Sequence, residues 1–574
     1  MNVNNMERML PGEWPREATP VNYRHPIAWD SEFEPLSVPD LFERGVCLAG
    51  TRKIADFYGR RTSYVDMREE ARKVAAALQR AGVGKGDRVG LYLPNVPVYL
   101  AAYYGTMIAG ATVVNFSPLY TVEELAAQVE DSGVKILFTI DSVALLPTAR
   151  EVLDCSALET LVVKGLADML PRLKSALLRI VGRNQLAEIP SGDSRVVPYD
   201  RFVAGCGQPD PVDIDPENDI ALLIYTGGTT GRPKGAMLSH QNMTVNARQT
   251  LRVDVHRGER DIMLGVLPLF HVFANVVVLN RTVLDGGMIV MLPRFDARQT
   301  LKALARVRAT SFPAVPTMFQ ALLDHPDIAK TNFDSLRVCI SGGAPLPLPL
   351  KRRFEQRTGA HIVEGYGLTE SGIVSTNPFD GWDSEKPGTI GQPLPGTRVR
   401  LLDKEDPTRL APAGEPGELA VKGPQTMKGY WNRPEGGTVF QDGYLRTGDV
   451  ATIDADGFVT IVDRIKDMIS VGGFKVFPSH IEEIILSRPT IREALVIGVP
   501  HDYLGEIPKA YVTLAEGAEE DEATLRDWIN THVGKHERVR AVEIRDELPK
   551  TMIGKLDRKA LRAELAAESE EPVA

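Results

Sequence analysis

The segment "IYTGGTTGRPKGAML", residues 224–238, places four glycines, three threonines and Lys234 straight after an apolar run. Glycine lets backbone N–H groups turn inward and approach a ligand closely, and successive inward N–H groups form an anion-binding concavity. Threonine hydroxyls bond oxyanions or ligate Mg²⁺, and Lys234 adds a point positive charge. These residue types suit a polyphosphate. The spacing excludes a Walker A loop, which carries Gly, four residues and then Gly-Lys-Ser/Thr; here Gly235 follows the lysine. On residue types alone, a Gly/Thr surface turn stays open beside the phosphate reading.

Further polar clusters punctuate the chain. "SGGAPLP" (341–347) is a glycine turn, and "EGYGLTE" (364–370) offers an aromatic, a hydroxyl and a carboxylate. "DGYLRTGD" (442–449) ends in an acid, "VDRIKDMISVGGFKVFP" (462–478) is a charged crossing, and "PKTMIGKLDRK" (549–559) puts Lys555 after a glycine. Taken singly these are ambiguous: a lone lysine near a C-terminus is ordinarily solvated, and an isolated aspartate before a β-stretch is ordinarily a turn residue. His271, in "LPLFHVFA", reads in isolation as a core or helix-start histidine. No G-x-S-x-G elbow is present, which disfavours a Ser-His-Asp triad.

The elements that must position these residues alternate between helix and strand through the first two-thirds of the chain. "DMREEARKVAAALQRAGV" is an amphipathic helix ending at Gly82, and "TVEELAAQVEDSG" is a helix with a capping box of Thr121 and Glu124. No charged residue occurs from Val89 to Val122. Its prolines, glycines and asparagines break it into a buried strand (88–93), helix (97–109) and strand (112–116) rather than a membrane span, which needs about 20 continuous apolar residues. Such alternation argues for α/β layers with mostly parallel sheets, whose ligands bind at the carboxyl ends of strands. From about 388 short β-like pieces separated by Gly, Pro and Asp predict a small antiparallel barrel or sheet. The expected fold class is α/β: a large N-terminal domain, 1–463, of layered sheets with a β-barrel-like part at about 388–463, followed by a small α+β C-terminal domain, 464–574.

The 574 residues exceed one core. With 43% hydrophobic and 25% charged residues the composition is that of an ordinary globular protein. A formal net charge of −10 excludes duplex nucleic acid as the main partner. The four cysteines (Cys47, Cys155, Cys206, Cys339) have no CxxC spacing and read as reduced thiols. The polar, Pro-rich N-terminus carries no apolar signal region. The expected location is cytoplasmic.

The order and spacing of these segments resemble the adenylate-forming superfamily of acyl-CoA synthetases, beetle luciferases and peptide-synthetase adenylation domains, from about 35 to 565. Within it the chain looks most like a long-chain fatty-acid–CoA ligase. The resemblance implies that a carboxylate attacks the α-phosphate of ATP to give acyl-AMP and pyrophosphate, and that coenzyme A then displaces AMP. By motif position, Thr226, Gly227, Gly228, Thr229, Thr230, Gly231 and Lys234 hold phosphates, and Glu370 with Thr226 ligates Mg²⁺. Gly342, Gly343, Ala344 and Pro345 border adenine, Tyr366 stacks on it, Gly367 belongs to the same ATP-binding set, and Thr369 touches the α-phosphate. Asp449 binds the ribose hydroxyls, Arg464 reaches the ribose or the phosphates, Lys555 is the catalytic cation, and His271 lies near the acyl carboxylate. Lys466 is the hinge of a mobile C-terminal domain, and Gly472 and Gly473 line the path of coenzyme A.

The chain departs from the pattern at Tyr444, Arg446 and Ile465, where tryptophan, histidine and a basic residue are usual, and at Ser470, where luciferase-like relatives have a lysine. Open alternatives are a medium-chain or aryl-acid CoA ligase, a fatty-acyl-AMP ligase that never uses coenzyme A, and a nucleotide-sensing module. The resemblance also raises a homodimer and a lysine acetyltransferase acting on Lys555 as partners. "KGLADMLPRLKSALLRIVGRNQ" (164–185) is basic and apolar at helical spacing; it reads either as an ordinary surface helix or as a peripheral contact with the inner membrane face.

Overall fold

A computed structural model describes residues 22–226, 233–381, 383–412, 414–433, 439–551 and 554–570. Two large sheets carry the first four hundred residues. The seven-stranded sheet runs, edge to edge, Val196–Pro198, Thr160–Lys164, Ile136–Ile140, Arg88–Leu91, Thr112–Asn115, Ile220–Thr226 and Lys234–Ser239. It is parallel except for its last hairpin, in which Thr226 faces Lys234. The nine-stranded sheet is parallel through Lys53–Phe57, Met288–Met291, Ile262–Gly265, Ser311–Ala314, Val338–Ser341 and His361–Leu368, with antiparallel strands added at both edges.

Local chemistry explains the elements. Ser63 and Thr121 both close capping boxes, at the starts of helices Tyr64–Arg80 and Val122–Ser132. The charge-free stretch resolves into strand Arg88–Leu91, helix Pro97–Ile108 and strand Thr112–Asn115. All but a few of its side chains are buried, which is why it carries no charge. Among the described residues no helix is long and apolar enough to cross a membrane.

Helix His240–Arg252 joins the layers in a different way. Its polar residues His240, Gln241, Asn242, Thr244, Asn246, Arg248, Gln249 and Thr250 are all buried. A buried polar group is tolerated only when hydrogen-bonded, and here the partners are backbone groups of distant segments. Asn246 accepts from Ile373 N–H and donates to Ile373 C=O, both at 2.8 Å. Asn242 donates to Pro424 C=O at 2.8 Å and Gln249 to Pro395 C=O at 2.7 Å. The helix thereby fixes the strand Gly372–Thr376, and with it the preceding turn at 369–371, against the first sheet.

The later part of the chain is antiparallel except for the pairing of Gly505–Leu514 with Ala541–Ile544, which is parallel. Strands Arg398–Leu402, Gly417–Lys422, Tyr444–Ile453, Phe440–Gln441 and Val459–Arg464 form one five-stranded sheet. Strands Phe474–Val476, Ile469–Val471, Gly505–Leu514, Ile491–His501 and Ala541–Ile544 form another, with its own apolar core around Val496, Val512 and Leu525. Contacts of this last unit with the rest beyond the chain crossing include Thr317 Oγ1 donating to Gly554 C=O at 2.6 Å and Arg492 pairing with Asp324 at 3.3 Å.

The buried helix generates a test. Asn246→Leu keeps the volume but leaves the N–H and C=O of Ile373 unpaired, a cost of about 2–5 kcal/mol. Denaturant unfolding should show this loss, whereas exposed Lys302→Ala should stay within about 0.5 kcal/mol of the parent.

Candidate active site

The site forms where the carboxyl ends of strands from both large sheets meet the antiparallel sheet and the loop bearing Lys555. Strand Val338–Ser341 ends in Gly342, Gly343, Ala344 and Pro345. Gly343 has φ +84°, and a Cβ there would stand 2.5 Å from Lys555 Cε. Only glycine fits, because the backbone is left-handed and the lysine stem occupies the space of a side chain. Gly342 packs against the ring of Phe273. Leu346 N–H donates to Glu364 at 3.1 Å, and burial pushes the Glu364 carboxyl up to about 7.

Lys555 lies on a tight turn. Thr551 N–H donates to its C=O at 2.6 Å, and its own N–H donates to Thr551 Oγ1 at 3.1 Å. Burial and the nearby Arg464 lower the ammonium from 10.5 to about 8, with Asp449 acting in the opposite direction. Among the described residues its Nζ has neither an ion pair nor a hydrogen bond. His271 is lowered to about 3 by burial and by Lys555, so it is neutral. It is also a helix-start residue, since its Nδ1 accepts from Phe273 N–H at 3.3 Å. His271 thus caps the helix and stands within the electrostatic reach of Lys555.

Asp449 and Arg464 are register partners in the antiparallel ladder, and Arg464 Nε lies 3.0 Å from Asp449 Oδ1. Tyr366 donates its hydroxyl to the other oxygen of Asp449. Burial and the Asp449 charge raise the phenol, so it remains a donor. A register shift between Tyr366 and Gly367 aims this part of the strand. The aspartate is 2% exposed, and its surroundings supply both a cation and a hydroxyl.

A third group involves a residue that sequence reading misses. Tyr430 donates to Glu370 Oε1 at 2.7 Å, and Lys234 Nζ lies 5.3 Å from the centre of its ring. Hydrogen bonds from Lys428 and Trp431 N–H to the strand Lys234–Ser239 align this tyrosine. Thr226 and Lys234 are paired across the hairpin, so Thr226, Lys234, Tyr430 and Glu370 form one set. Thr369 sits in the turn beside Glu370. Thr317, which bonds the Lys555 loop, is a second residue without a local signal in the sequence. Gly227, Gly228, Thr229, Thr230 and Gly231 lie outside the described residues.

Two candidate residues stand apart in this conformer. Gly472 and Gly473 have φ of +56° and +88° and form the two-residue turn of a hairpin between Ile469–Val471 and Phe474–Val476. Among the described residues nothing lies within 4 Å of a Cβ built on Gly473. Lys466 occupies a single helical turn, Ile465–Asp467, whose last residue is held by Arg562 at 3.0 Å.

Comparison with known proteins agrees with this geometry. Residues 46–431 match the AMP-binding enzyme family and residues 480–555 the AMP-binding enzyme C-terminal domain. A long-chain-fatty-acid–CoA ligase of Bacillus subtilis (strain 168) is 39% identical over 88% of this chain and 91% of its own length. A feruloyl-CoA synthase of an Amycolatopsis species is 35% identical over 87% of this chain and 93% of its own. Among solved structures, ATP-bound MatB from Rhodopseudomonas palustris superposes with a TM-score of 0.78 at 30% identity, over 92% of this chain and 99% of that one. The anthranilate CoA ligase AuaEII in complex with anthranoyl-AMP gives 0.79 at 26% identity, over 94% and 100%. The chain belongs to the AMP-binding enzyme family.

Proposed function

We propose that this protein activates a long-chain fatty acid with ATP to acyl-AMP and then transfers the acyl group to coenzyme A, releasing pyrophosphate and AMP. The observation that carries the reading is the half-buried Lys555 ammonium, which makes no ion pair among the described residues, set near Asp449, Arg464 and His271. In the first step a carboxylate oxygen bonds to the α-phosphorus while the bond to the pyrophosphate oxygen breaks. Negative charge converges on one point, so the protein must supply fixed positive charge there. Lys555 faces that charge, and neutral His271 adds a polar group without competing for the proton. Asp449 accepts from ribose hydroxyls, and Lys234 with the 226–231 segment holds the outer phosphates. Positioning and electrostatics are then most of the catalysis.

Glu370 and Thr226 are hard oxygen donors suited to Mg²⁺. The hydroxyl of Tyr430 holds one Glu370 oxygen and leaves the other available. The ion would neutralise phosphate charge.

In the second step the thiol attacks the acyl carbon and AMP leaves, which requires Lys555 to withdraw. We place the domain boundary at 463–464 and the hinge at Lys466. Asp467 already moves with the C-terminal unit through Arg562, while the bond from Ser479 N–H to Asp463, 2.8 Å, crosses the hinge and must break. The exposed Gly472–Gly473 turn would then approach the cleft. A lysine acetyltransferase acting on Lys555 would remove its charge, and would need the same withdrawal to reach it.

The length of the acid is tested by pyrophosphate release with palmitate, octanoate and 4-coumarate, each with and without coenzyme A. The expected result is a kcat/KM for palmitate at least about tenfold above the others, with acyl-CoA as product. A preference for 4-coumarate would favour the aryl-acid reading that the feruloyl-CoA synthase relative raises. Stable acyl-AMP with coenzyme A present would identify an acyl-AMP ligase.

Lys555→Ala should lower acyl-AMP formation by about a hundredfold or more and affect thioester formation from supplied acyl-AMP far less. The pH dependence has a definite sign. With a lysine lowered to about 8, the cation is present below that pH and is replaced by a neutral amine above it. The kcat/KM for ATP in the first half-reaction should therefore fall above pH 8, and Lys555→Arg should move this limb out of range. An equal loss in both half-reactions, or an unmoved limb, contradicts the role.

A further inference from the structure

Helix Arg172–Ile180 is an exception to the packing of the rest of the molecule. None of its residues is buried. Leu173, Leu177, Ile180 and Val181 are 88%, 59%, 77% and 73% exposed, and they supply four of the ten large apolar side chains exposed among the described residues. Their spacing of four, three and one places them on one stripe of the helix. An ordinary surface helix turns such a stripe to the core; this one turns it to solvent.

The surroundings of the stripe are basic although the chain is acidic overall. At helical spacing Arg172 and Arg179 flank it on one side and Lys174 on the other. The fold adds charges that are distant in sequence. Lys174 donates to Tyr58 C=O at 2.9 Å, and the Arg60 guanidinium donates to Asp168 C=O, which brings the turn between strands Lys53–Phe57 and Arg60–Ser63 against the helix. Pro171 also packs on Gly59, next to Arg306. Acids also lie near this surface, among them Asp141, within the electrostatic reach of Arg179, and Asp296, within that of Tyr58. Asp168 is paired with Arg179, and Asp56, whose side chain is wholly buried, is shared by Arg61 at 2.9 Å and Arg306 at 2.6 Å. Asp168 and Asp56 are thus matched or outnumbered, and Arg172 and Arg183 have no ion-pair partner among the described residues.

We propose that this face is a docking surface for an anionic lipid bilayer. The apolar stripe enters the boundary between headgroups and acyl chains, and the arginines and lysines of three separate segments meet the lipid phosphates. A narrow apolar stripe with basic flanks is the pattern of a helix that lies in the membrane plane. In a symmetric dimer the same basic face would meet itself, so the charge set selects the bilayer over a second copy of this chain as occupant. The proposal does not depend on the acid that the enzyme activates, because vesicle binding is scored without turnover.

The test is sedimentation of the full chain with vesicles of roughly equimolar phosphatidylglycerol and phosphatidylcholine, and with phosphatidylcholine alone, alongside light scattering of the free protein. The parent should bind the anionic vesicles, bind neutral vesicles more weakly, and release as salt rises. The double variant Leu177→Ser/Ile180→Ser and the double variant Arg172→Glu/Arg183→Glu should each weaken binding at least about tenfold. Both alter exposed residues, so their unfolding midpoints and their turnover of a short soluble acid should match the parent. A parent that does not bind, or variants that bind as the parent does, would overturn the proposal. So would unchanged vesicle binding with a dimer dissociated by the apolar variant, which would assign the face to a second copy.

Discussion

Removing the ammonium of Lys555 from water costs free energy that Asp449 offsets only in part. Much of the surrounding geometry follows from this one constraint. Gly343 leaves room for the lysine stem, Thr317 holds the turn through Gly554, and the nearest cation, Arg464, opposes the charge rather than supporting it. The burial disfavours the charged lysine until an anion arrives, and the proposed reaction supplies several at once. The closed position of the C-terminal unit and the presence of substrate are therefore linked thermodynamically. Closure alone becomes easier as pH rises from about 8 toward the value of a free lysine, whereas catalysis requires the charge and is lost in that range.

The same constraint explains why the nucleotide site is built from the strand that leads into the C-terminal unit. Asp449 and Arg464 face each other in the ladder, and two residues after Arg464 the chain reaches Lys466. In the proposed reading a ligand held by Asp449 would lie next to the hinge, and Asp467 is tied to the C-terminal unit through Arg562.

Much of the fold is legible locally. The capping box of Thr121 and Glu124, the glycine after helix Tyr64–Arg80 and the buried elements between 88 and 116 depend on near neighbours, and sequence reading finds them. The motif residues Tyr366, Glu370, Asp449 and Lys555 are legible through a resemblance, since isolated acids and lysines carry no such signal. Tyr430 and Thr317 act on segments 60 and 237 residues away, respectively, and nothing in their own neighbourhood announces it. The polar residues of helix His240–Arg252 would suggest a surface element, yet they are buried because their partners are backbone groups of remote loops. The stripe at 173–181 shows the reverse: apolar spacing that predicts burial, left exposed.

The most direct measurement is the proton taken up when ATP binds. At pH 8 a lysine titrating at about 8 is half protonated, and an anion bound against it should complete the protonation. Calorimetric titration of the protein with ATP in two buffers of different ionisation enthalpy should give an uptake of about half a proton per ATP at pH 8. The uptake should approach zero near pH 6.5 and be absent at both pH values in Lys555→Met. ATP binding without proton uptake at pH 8, or with the same uptake in Lys555→Met, would contradict the account.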